Sequence, residues 1–441
     1  MNHNKPERGQ ALVIIVFAMV ALIGLTGLAI DGGNAYSDRR NAQNAADTAA
    51  LAAALAKVRG ADQPTWVTAG EQRAASNGYD PSKNSGATVT VYECDQTGYP
   101  SCNLPSTEDA SQYVGVVITS NIRTYFAPVL GIRQMTNTVQ AVAKAQPQTI
   151  TTYFHGNTLV STMPGCKNSQ WNQDPFTIGG SADVTIGGSG VFVNSSCNPA
   201  FTENGGPSMN ASGICVVGGV PSNTTGITPP PQGGCGAQTD YSQYVTEVPN
   251  CTQAGQINKS GGNWVASPGY YNSTFPNVSP AGTLILQKGI YCLNNGISLQ
   301  SNWNITTDVN GNGTYDGATE GVLFYVPNGS VTFNGGSTIY LHAITTNTDS
   351  FPAELMGYLI YLPPTNTSPV KITGGSGSQF IGTIFAPASL VTLEGSSGTL
   401  SLDCQIIGYS LNVGGSGNIN ITYDSNVNAK AYTKPQIQLT K

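Results

Sequence analysis

The sequence predicts a mainly β protein tethered at one end: an N-terminal transmembrane helix and helical stalk, a small α/β segment, and a right-handed parallel β-helix. Three observations carry this prediction. Ala11 to Ile30 is an uncharged apolar run of twenty residues. The second half of the chain repeats short apolar strands that close on Gly/Ser turns. Charged residues make up only 10% of the 441, against about 25% in an ordinary soluble domain. A β-sandwich is the alternative for the second half.

The few charges are unevenly placed. Residues 1–149 carry eleven basic and eleven acidic side chains, whereas the remainder has seven Lys, no Arg and thirteen acids, which accounts for the net −6. Nucleic-acid binding needs clustered Lys and Arg against phosphates, and nothing beyond Arg133 supplies them, so a nucleic-acid partner is excluded. The 39% hydrophobic content is enough for real cores, which argues against wholesale disorder.

As a helix rising about 1.5 Å per residue, Ala11 to Ile30 spans about 30 Å, the thickness of a bilayer's hydrocarbon core. Lys5 and Arg8 precede it and Asp31 follows. The positive-inside rule then leaves residues 1–10 as a cytoplasmic tail and exports the rest. A cleaved signal peptide is the alternative, but the run exceeds the usual apolar core and no A-x-A site closes it. Residues 31–60 continue as an Ala-rich stretch of high helix propensity, read as a stalk. Its face of Ala42, Ala45, Ala46, Ala49, Ala53 and Ala56 is suited to close helix approach.

Arg8-Gly9-Gln10 before the apolar run, Asp31 closing it, and Gln43-Asn44-Ala45-Ala46-Asp47 opening the alanine run form a combined pattern over about residues 8–56. It resembles the N-terminal segment of TadE/TadG-like proteins of the tight-adherence (Flp) pilus system. The resemblance implies a bacterial, envelope-anchored protein, single-pass with its bulk periplasmic or extracellular, whose partners are the membrane and other tight-adherence pilus components. Related pilin precursors carry a cleavage Gly with a Glu five residues on. Counted from Gly9 that position is Ile14, so the chain resembles TadG more than a pilin.

Residues 61–149 read as a membrane-proximal α/β segment. Ala87–Glu93 and Tyr113–Ile122 alternate as half-buried strands, Arg123–Ile132 is a short helix, and Thr136–Gln146 is a closing strand. The order also resembles the membrane-proximal part of TadG-like proteins.

Residues 150–425 carry the repeats. Thr177-Ile-Gly-Gly-Ser181 recurs as Thr185-Ile-Gly-Gly-Ser189. Ile372, Leu393 and Val413, each before a Gly/Ser turn, are spaced by 21 and 20 residues, and Phe333 lies 39 before Ile372, close to two such periods. A fixed period of short β units with Gly corners is the signature of a stacked solenoid. Ser330–Asp424, with its Gly382–Ser389 segment, resembles parallel β-helix modules of bacterial surface proteins. Residues 198–270, rich in Pro, Gly and Asn, are expected to be an irregular insertion, and 426–441 a C-terminal tail.

Ready-made chemistry is sparse. The histidines are His3, His155 and His342, and no G-x-S-x-G elbow accompanies them. Polysaccharide lyases of β-helix fold use an Arg or Lys base beside acidic calcium ligands, and the repeat region lacks such a cluster. The expectation is therefore a protein that is not an enzyme. One candidate metal site stands out: Asp308, Asn310, Asn312, Thr314 (through its carbonyl) and Asp316 match the D-x-N-x-N-G-x-x-D calcium loop. The usual Glu at the twelfth position is Thr319, with Glu320 one later, and an Asn-Gly hairpin turn is the alternative.

Nine cysteines all lie on the exported side, where disulfides are the default. Cys94 and Cys102 bracket a turn between strands; Cys166–Cys197 and Cys215–Cys235 pair by proximity. Cys251 with Cys292 would leave Cys404 free, but the odd count fixes no connectivity. Two classes of function follow: a structural or adhesive accessory of the pilus system, or a surface β-helix that binds or cleaves carbohydrate, stacking sugars on Trp264, Tyr270, Tyr271 or Trp303.

Overall fold

The computed structural model describes residues 10–83, 86–169, 171–222, 224–238, 244–245, 248–300, 302–347, 351–375, 377–396 and 398–440. The cytoplasmic tail expected at 1–10 lies almost wholly outside them. The chain forms two compact units, Met1–Thr149 with Lys434–Lys441, and Ile150–Thr433.

The first unit begins with one uninterrupted helix, α1 (Gln10–Val58). The apolar run and the alanine run thus share a helix, as their unbroken propensity permits. The first half is bare: Leu12, Phe17, Leu22 and Leu28 are all exposed. The second half is the opposite on one face, with Ala42, Ala45, Ala46, Ala49, Ala50, Ala53 and Ala54 fully buried. The expected stalk is therefore a wall of the unit's core. Its methyls pack on α2 (Gln63–Ser76) and on the strands β1 (Ala87–Glu93), β2 (Tyr113–Arg123) and β3 (Gln134–Gln146). Asp62 caps α2 by accepting from the Thr65 N–H, with Pro64 in the first turn, where its missing N–H costs nothing.

These strands are antiparallel in the order β1-β2-β3, and a fourth strand, Gln436–Thr440, pairs with β3. The expected tail is thus the outer strand of this sheet, 290 residues after β3. The expected short helix at 123–132 is a hairpin turn with only one 3-10 turn, Ala127–Leu130, because Pro128 and Gly131 flank too few residues to propagate an α-helix.

The second unit is built from parallel ladders in an eleven-stranded and a fourteen-stranded sheet. A typical round lays down three short strands, two in the larger sheet and one in the smaller. Several take about twenty residues, but the rounds from Leu299 to Phe333 and from Phe333 to Ile372 take 34 and 39. The 39-residue interval is therefore one round with longer loops and not two periods. Like residues stack from round to round: Leu299, Phe333, Ile372, Leu393, Val413 and Ile178 are successive ladder partners, all essentially unexposed. The residues that mark the sequence period are therefore one column of the core. The TIGGS repeat has a different meaning. Phe176–Gly180 and Asp183–Gly187 lie in different sheets of the same round. Glycine columns turn the corners: a Cβ on Gly415 (φ +110) would lie 2.2 Å from the Gly395 carbonyl oxygen, and one on Gly180 (φ +79) 2.3 Å from that of Gly415. Only glycine fits such a stack.

The stacking order departs from the chain order. The last rounds, at Ile406–Gly415 and Asn418–Thr422, pair with the first, at Leu159–Ser161, Phe176–Gly180 and Asp183–Gly187. The chain enters the stack in its middle, winds to one end at Ile227–Thr228, crosses to the other end at Ile257–Ala266, and winds back to where it began. The region 198–270, expected to be irregular, therefore contains stacked strands at Phe201–Gly205, Ser208–Asn210, Ile214–Val216 and Ile227–Thr228. The crossing itself occupies 229–256. Nine strands lie between its ends in the smaller sheet, ten spacings or about 48 Å at the usual strand spacing, well within the reach of this segment if extended.

Candidate functional site

The end of the apolar run is held in place from within its own unit. Asp31 is buried, and its carboxylate accepts the backbone N–H of Tyr125 (2.8 Å), Phe126 (2.9 Å) and Ala127 (2.8 Å). One turn earlier, a Cβ on Gly27 would lie 2.6 Å from the Phe126 Cβ, so glycine lets the hairpin turn lie directly on the helix. Two turns after Asp31, on the same face, Asp38 accepts from the Tyr79 and Ser120 hydroxyls and the Asn137 amide. Burial, and then Asp38, hold the Tyr79 phenol well above its ordinary range, so it stays a donor. Farther along, Gln43 donates to the Gln140 carbonyl, and Lys57 pairs with Glu93. Polar side chains of α1 thus bind positions up to 99 residues away.

The candidate calcium loop folds as nested turns. Asp308 accepts from Gly311, Asn312 and Gly313, Asn310 from Asn312, and Asn312 from Thr314. Asp316 accepts from Ala318 and Thr319. Glu320, fully buried, closes the loop by accepting from Val309 and Asp316. Among the described residues no three His, Cys, Asp or Glu side chains come together as a metal-holding group.

Four disulfides form, Cys94–Cys102, Cys166–Cys197, Cys215–Cys235 and Cys251–Cys292, and Cys404 is free and buried. The last two disulfides pin the two ends of the crossing segment, and Tyr244–Val245 pairs with Tyr432–Thr433 between them.

The other singled-out side chains are packed. His342 is buried under Tyr315, ring centroids 3.6 Å apart, with Nδ1 against the Ala343 carbonyl. Burial pushes its pKa down. Trp303 is buried, Tyr271 sits against Phe275 and Tyr291, and Lys259 covers the Trp264 ring. Tyr270 is half-buried in a parallel pair with Cys292.

An apolar helix with one bare half, whose other half is built into a folded head, defines the class as consistent with a membrane-anchored, mainly β protein. The same helix carries a known signature. Residues 9–56 match the family model described as putative Flp pilus-assembly TadE/G-like, a match that covers nearly the whole of α1. No curated protein and no solved structure matches the chain.

The sequence reading named Asp31 as the end of the span but missed its partners in the hairpin turn, and missed Asp38. The signal available was the apolar string Tyr125–Ile132 between Arg123 and Arg133, which has no helical periodicity to bury it.

Proposed function

We propose that this protein is a single-pass, membrane-anchored accessory of a Flp-type pilus system, with its N-terminus cytoplasmic and both folded units periplasmic or extracellular. The role is structural or adhesive, not catalytic. The observation that carries this reading is the coincidence of the family match with α1: the matched residues include both the bare apolar half and the face that seats the first unit. The second unit is read as a right-handed parallel β-helix that projects a charge-poor surface. Parallel ladders, a recurring round of three short strands and glycine corners support that architecture. The carbohydrate reading has no comparable support, since the aromatic rings it would use are mostly packed. In the native host, deleting the gene should abolish assembled pili, and the full-length chain should restore them. Normal piliation in the deletion strain would overturn the proposal.

We also propose that calcium braces the loop Asp308–Glu320. Support comes from oxygen-bearing side chains at alternate positions 308, 310 and 312, with Asp316 following, and from Glu320 folding back where Thr319 cannot serve. Isothermal titration of calcium into the full-length protein should show one site, lost in Asp308→Ala; heat unchanged by that substitution would remove the assignment.

A further inference from the structure

The hairpin turn joining β2 to β3 is apolar and holds the most exposed large hydrophobic residues of the first unit outside α1. Tyr125 is 70% exposed, Val129 90%, Ile132 49% and Met135 37%. Single exposed apolar residues are ordinary, but a contiguous patch marks a contact surface. The patch does not stand apart from α1. With Val20, Ile23 and Gly27 on the helix, Phe126, Val129 and Ile132 line an apolar groove of about 400 Å³. Val20 lies eleven residues before Asp31, about 16 Å along a helix. The turn therefore flanks the last turns of the apolar run rather than lying beyond it.

The turn's backbone is also equipped for a place without water. In hydrocarbon every backbone polar group needs a protein partner. Asp31 takes the N–H of Tyr125, Phe126 and Ala127. Carbonyls of the turn itself take those of Val129, Gly131 and Ile132, and Pro128 has none to satisfy. The Ile132 carbonyl accepts from the Thr124 hydroxyl. At the base of the hairpin, where Thr124 donates to the Arg133 carbonyl, Arg123 and Arg133 are both exposed. Apolar tip, six paired backbone N–H groups and two cations at the neck match the depth profile of a leaflet, from acyl chains to phosphate headgroups.

We infer that the turn Tyr125–Ile132 is a second membrane element, seated among the phospholipid acyl chains of the leaflet that α1 leaves at Asp31, with Arg123 and Arg133 against headgroup phosphates. The inference rests on the reading that Ala11 to Ile30 spans the bilayer. It makes the anchor a helix plus a wedge. The helix fixes depth, and the wedge fixes rotation of the first unit about the helix axis.

The test uses the full-length protein, one copy per nanodisc of phosphatidylethanolamine and phosphatidylglycerol, in a Cys404→Ala background. An environment-sensitive fluorophore is attached at Val129→Cys and, in case that variant misfolds, at Ile132→Cys. Thr107→Cys, on an exposed loop of the same unit, and Ile14→Cys, within the span, are the references. The expected result is blue-shifted emission at Val129 and Ile132, iodide quenching several-fold weaker than at Thr107, and strong quenching by a nitroxide on the lipid acyl chain. Iodide access equal to that at Thr107, with Ile14 shielded, overturns the wedge and leaves the span intact. Access at Ile14 as well overturns the span on which it rests. Shielding that appears only in discs holding two copies assigns the groove to a second copy and overturns the lipid occupant.

Discussion

The two units stabilise their strands by opposite means. In the first, antiparallel strands lean on a helix through methyl contacts, and single polar residues fix the geometry: Asp31 with the hairpin turn, Asp38 with Tyr79, Ser120 and Asn137. In the second, a few buried polar residues such as Gln405 and Asn428 also reach distant partners, but the architecture rests chiefly on repetition. Columns of Ile, Val, Leu and Phe stack in parallel register, and glycines turn the corners. One unit is specified by particular long-range contacts and the other by repetition. This division also explains the charge asymmetry, because a stack of identical rounds places like residues directly above one another, where repeated charges would repel.

The comparison can be broken at several points. The largest effect is expected from Phe324→Ala, which empties a column position between Tyr291 and Ile360 where Phe275 and Tyr291 pack. A loss of about 3–5 kcal/mol is expected for such a cavity. Hydrogen exchange should show it in the ladders on either side of Val322–Tyr325, while Ala87–Gln146 keeps its protection. Next is the paired substitution of Cys251 and Cys292 by Ser, which frees one end of the crossing segment. It should cost about 3 kcal/mol, read as a lower melting temperature of the second unit alone. Asp38→Ala, at about 2 kcal/mol for lost hydrogen bonds to a charged group, should deprotect β2 and β3 and leave the parallel ladders unchanged. If exchange in either unit follows mutations in the other, the division into two separately specified bodies is wrong.

Acid should separate them more gently. Burial holds the His342 pKa below 6.5 in the second unit. The unfolded chain therefore binds a proton that the folded chain refuses, and stability falls as pH drops below 6.5 toward the folded value. Asp403, raised by burial, acts in the opposite direction at lower pH. In the first unit Asp80, Glu108 and Asp109 are lowered by hydrogen bonds from Ser82, Tyr113 and Ser111. Their contribution is complete above the ordinary carboxylate range and is lost only as pH falls through the depressed values. Melting of the second unit should decline first on acidification, and His342→Gln should flatten that decline.

Repetition is also what made one unit readable. Phe333, Ile372, Leu393 and Val413 sit one above another, so their period is written locally in the chain and needs no knowledge of distant partners. The entry point of the chain was not readable, because nothing in residues 159–187 says that residues 406–422 will lie beside them. The Pro- and Asn-rich segment 201–228 concealed its strands for a related reason: each has only two to five residues, too few for alternation to show. In the first unit the strands were legible from their alternation, and the apolar run from its length. Asp31 was legible as a boundary, yet its three partners lie 94 to 96 residues away, beyond any periodicity. The calcium pattern was legible as spacing, and Glu320 as the closing residue became visible only with the fold.

The strand Gln436–Thr440 adds a matter of timing. The ribosome delivers α1 and β1 to β3 early and this strand only after all the stacked rounds. The sheet of the first unit therefore stays one strand short until those rounds have been made, with β3 presenting an unpaired edge. Its pairing requires that the stacked rounds have already been made, so a copy truncated within them keeps an open edge on β3, which is a template for wrong pairing.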